Sequence, residues 1–174
     1  MKKLVIIFML VLFSLTAVSA VNEEVGEDIN LYKGTLGIGL ATDFSSDIAV
    51  SVTGDLGKLE LLGSAGIGFG QSSFHFALDA GVTYEIIDVD FGLGGHMPIS
   101  IGLIIPMNFN VISKNFNFDI SLCPVFEIEY QIPSTPLSFN IYAGPYIEVS
   151  GLGQQGRTAV SGGLYGRAVI NYWL

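Results

Sequence analysis

A single cysteine, Cys123, stands among 174 residues, so no internal disulfide can form. Charge is scarce as well: 13% of the residues are charged, about half of what soluble domains carry. The groups needed to clothe a soluble barrel of this size in water are missing. Positive charge is scarcest, with 7 Lys and Arg against 16 Asp and Glu. That balance repels phosphate backbones and argues against nucleic acid as a partner. No apolar run outside the N-terminus is long enough for a transmembrane helix. Two histidines without ligand-like spacing do not make a zinc site, and no metal or cofactor is expected. The glycine-rich runs Gly34–Gly39 and Gly63–Gly70 are not followed by helix signals, so a phosphate-loop reading fails.

What the chain does have is apolar residues, which make up half of it, and 22 glycines. Its clearest stretch runs from Phe116 to Ile132. Phe116, Phe118, Ile120, Leu122, Phe126, Ile128 and Tyr130 alternate with Asn117, Asp119, Ser121, Glu127, Glu129 and Gln131. Side chains on a strand point alternately to its two faces, so this is a strand with one greasy and one wet side. Phe118 and Tyr130 share the greasy side. Twelve residues at roughly 3.3 Å each, tilted by about 40°, set them about 30 Å apart along a barrel axis. That span matches a bilayer's hydrocarbon core. Cys123 falls on the wet side, as a small filler.

The rest of the chain repeats the theme. Met1 to Ala20 reads as a secretory signal peptide: Lys2 and Lys3, the apolar run Leu4–Leu15, then small residues at Val18-Ser19-Ala20. Residues 21–33 form an acidic leading segment, and 34–174 the barrel. With the signal removed, the net charge is −11. Turn-type clusters at 43–47, 54–57, 71–72, 94–98, 113–115, 133–136 and 151–156 separate alternating stretches. A slip in the alternation at Ile86-Ile87 reads as one more turn. The pattern yields nine candidate strands in hairpin succession. Bacterial single-chain membrane barrels have even strand numbers. Eight results if the short piece from Asp88 to Gly95 merges into a neighbour, and ten if a strand from Ile29 is added; eight is preferred. Pro106, Pro124 and Pro145 fall inside strands and predict bulges or strand ends there.

The two faces set the orientation. The polar face is mostly Gly, Ser, Ala and Asn with scattered acids, which suits a narrow interior. The apolar face carries no Lys or Arg in the clearest strands, as lipid contact requires. The expected fold is all-β: a closed antiparallel up-and-down transmembrane barrel. Phe74, Tyr84, Phe118, Tyr130 and Tyr172 would form its aromatic belts. The closing residues Leu164, Gly166, Ala168, Ile170, Tyr172 and Leu174 alternate in the same way. With them, the chain from Gly34 onward resembles the small bacterial outer-membrane β-barrel proteins. The resemblance implies outer-membrane localisation, surrounding lipids as partners, and recognition of the last strand by the barrel-insertion machinery. Leu174 departs from the terminal Phe or Trp usual there, although Trp173 is adjacent.

If the polar face points inward, Glu60, Asp79, Asp90, Asp119, Glu127, Glu129 and Glu148 enter the lumen. Lys58, Arg167, His75 and His96 are the cations available to meet them. Hairpins centred near Ser134 and Gly153 set Glu129 opposite Asn140 and Asn140 opposite Arg167. The same register puts Glu127, Tyr142 and Tyr165 in a second row. These residues, with Asp79 and Glu148, are expected to form a lumenal polar network, with Arg167 reaching Glu129. Three functions follow from this sequence. The preferred one is a non-enzymatic envelope barrel, structural or allowing limited passage of small solutes. The second is a secreted lipocalin-like barrel holding an apolar ligand. The third is a lipid-modifying enzyme using His75. It is disfavoured because Asp79 lies about 13 Å along the same strand and Ser73 about 7 Å.

Overall fold

The computed structural model describes residues 34–43, 48–69, 73–90, 96–112, 115–133, 135–152 and 158–174. The expected signal peptide and acidic segment lie outside these residues. Eight strands follow one another: β1 (Leu36–Asp43), β2 (Ile48–Leu56), β3 (Leu59–Phe69), β4 (Ser73–Asp90), β5 (His96–Ile112), β6 (Asn115–Gln131), β7 (Leu137–Leu152) and β8 (Ala159–Trp173). Each pairs antiparallel with its neighbours in sequence, and β1 pairs with β8, so the sheet closes into a barrel. The stagger can be counted around the ring. From Leu40 the paired residues are Val50, Ala65, Leu78, Met107, Ile120, Val149 and Val160, whereas Leu40 itself pairs with Ile170 on β8, ten residues from Val160. Eight strands with that stagger tilt by about 40° and enclose an interior that side chains nearly fill.

The strand count is settled at Ile86-Ile87. No turn occurs there; β4 runs for 18 residues and the register shifts by a bulge between Glu85 and Ile87. An extra residue in a strand sends two successive side chains to the same side. Ile86 and Ile87 accordingly are both exposed on the exterior. A bulge and a turn leave the same mark on an alternation pattern, which is why the piece from Asp88 onward looked separate. The prolines are likewise absorbed within strands. The paired rows break at Ile105–Pro106 opposite Ser121–Leu122, with no change of register and no strand end. The second bulge lies elsewhere, between Phe118 and Ile120.

A two-residue hairpin joins β2 to β3 through Gly57 and Lys58. Gly57 has φ +80°, the left-handed conformation such a turn demands, and its N–H donates to Asp55 Oδ1 at 2.7 Å. Strand β2 thus extends through Gly54 and Asp55, and Lys58 is exposed in the turn instead of pointing inward.

Outward-facing positions are apolar all the way round: Leu40, Val50, Ile67, Tyr84, Ile101, Phe126, Ile141 and Ile170 are each exposed. Inward positions are the buried ones, and along Ser121–Gln131 burial alternates without exception. Phe118, Ile128 and Phe139 do not meet across an interior. Ile128 and Phe139 are exposed, and Phe118 stacks on neighbouring Phe109 with ring centroids 4.9 Å apart. The barrel's core is its lumen, where Leu62, Ile104, Cys123, Val125, Tyr142 and Val169 cluster.

Candidate functional site

The lumen has two halves. The end of the barrel that holds the start of β1 and the end of β8, the terminal end, is filled. There Trp173 Nε1 donates to Ser138 Oγ at 2.9 Å, Ser138 donates to Asn140 Oδ1, and Asn171 Nδ2 donates to the same oxygen. Asn140 Nδ2 in turn donates to Glu127 Oε1 at 2.8 Å. Tyr142 spans the interior, its hydroxyl donating to Glu60 Oε1 at 3.4 Å from a strand four places away round the ring. Glu127, Glu129, Asn140, Tyr142 and Asn171 are all at most 2% exposed. Buried polar groups persist when hydrogen-bonded to one another, and these bonds tie Ser138, Asn140, Asn171 and Glu127 together, with Tyr142 bonded to Glu60 across the lumen. Above them Leu62, Ile104, Val125 and Val169 make an apolar layer.

Arg167 forms the boundary. Rising from β8 at 2% exposure, it crosses the lumen to Asp79 on β4, Nη1 to Oδ2 at 2.5 Å. Ser64 Oγ donates to the same carboxylate at 2.7 Å. Toward the other end the lumen opens into a cavity of about 350 Å³. Asp79, Asn108, Ser121, Glu148 and Tyr165 give it a polar side, and Ala41, Ala49, Gly66 and Ala77 an apolar one. Glu148 accepts from Ser121 at 3.3 Å and Ser161 at 3.4 Å. Asp119 accepts from Asn110 Nδ2 and from the Gly151 N–H, each at 2.8 Å.

All eight residues of the expected polar network face inward, but they do not form one row system. Glu129 opposite Asn140 and Glu127 opposite Tyr142 are observed. The β7–β8 register is two residues from the expected one: Asn140 pairs with Val169 and Tyr142 with Arg167. A two-residue slip keeps every side chain on its face, so alternation alone does not detect it. Arg167 consequently meets Asp79 and not Glu129. Glu60, Ser64, Ser138, Asn171 and Trp173 were not placed in the network by sequence reasoning. Their inward parity was readable, but their position around the ring was not.

The remaining residues fall as follows. Tyr84, Tyr130 and Tyr172 ring the terminal end on the outside, while Phe74 and Phe118 lie toward the other. Phe76, Phe109 and Phe116 join Phe118 in a run of ring contacts with centroids 4.9–6.2 Å apart. His96 is not in a turn: it is buried on β5 and its Nδ1 lies 2.9 Å from Asp88 Oδ2. Asp79, the acid paired with His75 in the enzymatic reading, is engaged by Arg167. Among the described residues no group of His, Cys, Asp and Glu is placed to hold a metal ion. Comparison with protein-family models, with curated proteins and with solved structures finds no match for this chain.

Proposed function

We propose that this chain is a non-enzymatic outer-membrane β-barrel whose role is structural, with a lumen that is a blind cup and not a pore. The observation that carries the reading is the inversion of the faces. Exposed Leu40, Val50, Phe126, Ile147 and Ile170 cover the outside, while Glu60, Glu127, Glu129, Asn140 and Arg167 are buried inside. A monomer in water rarely exposes contiguous apolar surface on this scale. Lipid contact accounts for it, and ring closure pairs the strand edges that lipid would otherwise leave unsatisfied. The Tyr and Phe rims, set about 30 Å apart by the strand tilt, match a hydrocarbon core. Hydrogen-bonded filling of the terminal half supports a structural role over solute passage.

Membrane fractionation with heat-modifiable gel mobility tests the location. The folded barrel is expected in the membrane fraction, running faster before boiling than after. Recovery in the soluble fraction without detergent would overturn the reading and favour the secreted barrel. Planar-bilayer recording tests the cup: no steady conductance is expected, and ohmic single-channel steps would restore solute passage.

A further inference from the structure

The cavity beyond Arg167 contains two polar groups whose bonding is incomplete. One is Glu148 on β7. It pairs with Ser121 on β6 and Ser161 on β8, and each hydroxyl donates to a different carboxylate oxygen, at 3.3 and 3.4 Å. These contacts orient the carboxylate without neutralising it, and among the described residues no cation pairs with it. The other is Arg167. Its Nη1 is committed to Asp79, but its Nε–H finds no acceptor among the described residues, although the side chain is almost wholly buried at the cavity floor. A buried donor without an acceptor and a lumenal carboxylate without a counter-charge are both costly unless something else meets them. The surroundings of the two groups are also specific. Tyr146, two residues from Glu148 on the same face, packs against the buried cluster and against Gly163 on β8, where an added Cβ would come within 2.9 Å of the ring. Ala41, Ala49, Gly66 and Ala77, one from each of β1 to β4, make the apolar side of the cavity small and smooth.

We propose that this cavity is a binding site for a small linear organic ammonium with a hydroxyl at its far end, an amino alcohol. The inference goes beyond the structural role above and needs only the closed lumen, wherever the barrel resides. Glu148 takes the ammonium in a charge-assisted hydrogen bond, and the Tyr146 ring beside it adds a cation–π contact. The hydroxyl oxygen accepts from Arg167 Nε, and the methylenes between lie along the small residues of β1 to β4. Charge selects this class. Asp79 and Glu148 are the acids of the lining and Arg167 its base, so the cavity is negative on balance and repels an anion. A wholly apolar ligand would leave Glu148 without a counter-charge. Among the described residues no cluster is placed to hold a metal ion, so the cation is an organic one. The cavity of about 350 Å³ admits roughly ten groups of water or methylene size, at about 30 Å³ each, enough for a six-carbon chain with both polar ends.

The test is titration of the folded full chain with aminohexanol, in detergent micelles or in plain buffer if the chain is soluble, read by the methyl resonances of alanine-labelled protein. Saturable shifts are expected at Ala41, Ala49 and Ala77, which line the cavity, and not at outward-facing Ala65, Ala80 and Ala143. Hexanediol and hydroxyhexanoate match the probe in length but lack the ammonium, and are expected to bind about tenfold more weakly or worse. Hexylamine, which lacks the hydroxyl, is expected to bind several-fold more weakly. Glu148→Gln is expected to weaken aminohexanol by about ten- to a hundredfold and leave hexanediol unchanged. If that variant does not reach folded gel mobility, Ala77→Leu, which fills the apolar side, is expected to abolish binding instead. Equal affinity for aminohexanol and hexanediol, undiminished binding in the folded variant, or shifts confined to the outward alanines would each overturn the site. So would inward alanines that contact water alone at saturating amine. These outcomes leave the membrane reading untouched, since fractionation decides it separately.

Discussion

Arg167 is the residue whose removal tells most about the lumen. Its guanidinium and the Asp79 carboxylate are in direct contact, with side chains 3% and 16% exposed. Two unit charges about 4 Å apart attract by about 4 kcal/mol at an effective dielectric near 20. Breaking a fully buried pair by removing one partner costs about 3–5 kcal/mol. Asp79 borders the cavity and keeps some hydration, so Arg167→Met is expected to cost less, about 2–3 kcal/mol. Asp79→Asn is expected to cost more than Arg167→Met. It strands a guanidinium that is almost wholly enclosed and cannot shed its proton. The double variant should recover much of the loss, because neither charge is then left alone. The assay is urea unfolding of the reconstituted barrel, read by the fraction with folded gel mobility. Additive single effects, with a coupling below about 0.5 kcal/mol, would refute the account of Arg167 as a cross-lumen strut.

Other outcomes follow from the same geometry. Phe126→Lys is expected to destabilise the barrel by about 2–4 kcal/mol in lipid, whereas Leu174→Lys at the rim costs about 0–1; equal effects at the two sites would count against a bilayer around the wall. Gly144→Ala is expected to lower folded yield, because a Cβ there would collide with the Pro124 carbonyl, while Gly63→Ala, whose Cβ would meet nothing nearer than 3.9 Å, is expected to be tolerated. Trp173 is the only tryptophan and is 3% exposed, so its emission should resist aqueous acrylamide until the barrel unfolds. Ser138→Ala is expected to cost about 1–3 kcal/mol by orphaning the Trp173 indole N–H, with retained quenching protection showing that the ring stays in place.

Much of this architecture was legible in the residues themselves, for a physical reason. A strand alternates with a period of two, and a wall with an apolar outer face and a narrow polar lumen places opposite chemistries at successive positions. Phe116 to Ile132 therefore announced both its conformation and its orientation. Alternation carries no information about a shift of two, and so the partner of Arg167 was misjudged. It equally fails to separate a bulge at Ile86-Ile87 from a turn. Contacts across the ring, such as Tyr142 to Glu60 or Arg167 to Asp79, depend on stagger and tilt, which arise only when the last strand meets the first. The prolines were the least informative residues, since Pro106 and Pro124 interrupt paired rows without altering the register.

The seam between the first and last strands has a consequence for assembly. Among the described residues it is held by seven paired rows, as β1 is with β2, against fourteen between β7 and β8, and it joins the residues most distant along the chain. Cooperative zippering of hairpins cannot supply it, so the cylinder stays open until synthesis is complete and its ends are brought together. The line that shuts last, joining the two ends of the sheet, is also where the finished molecule would part first under load.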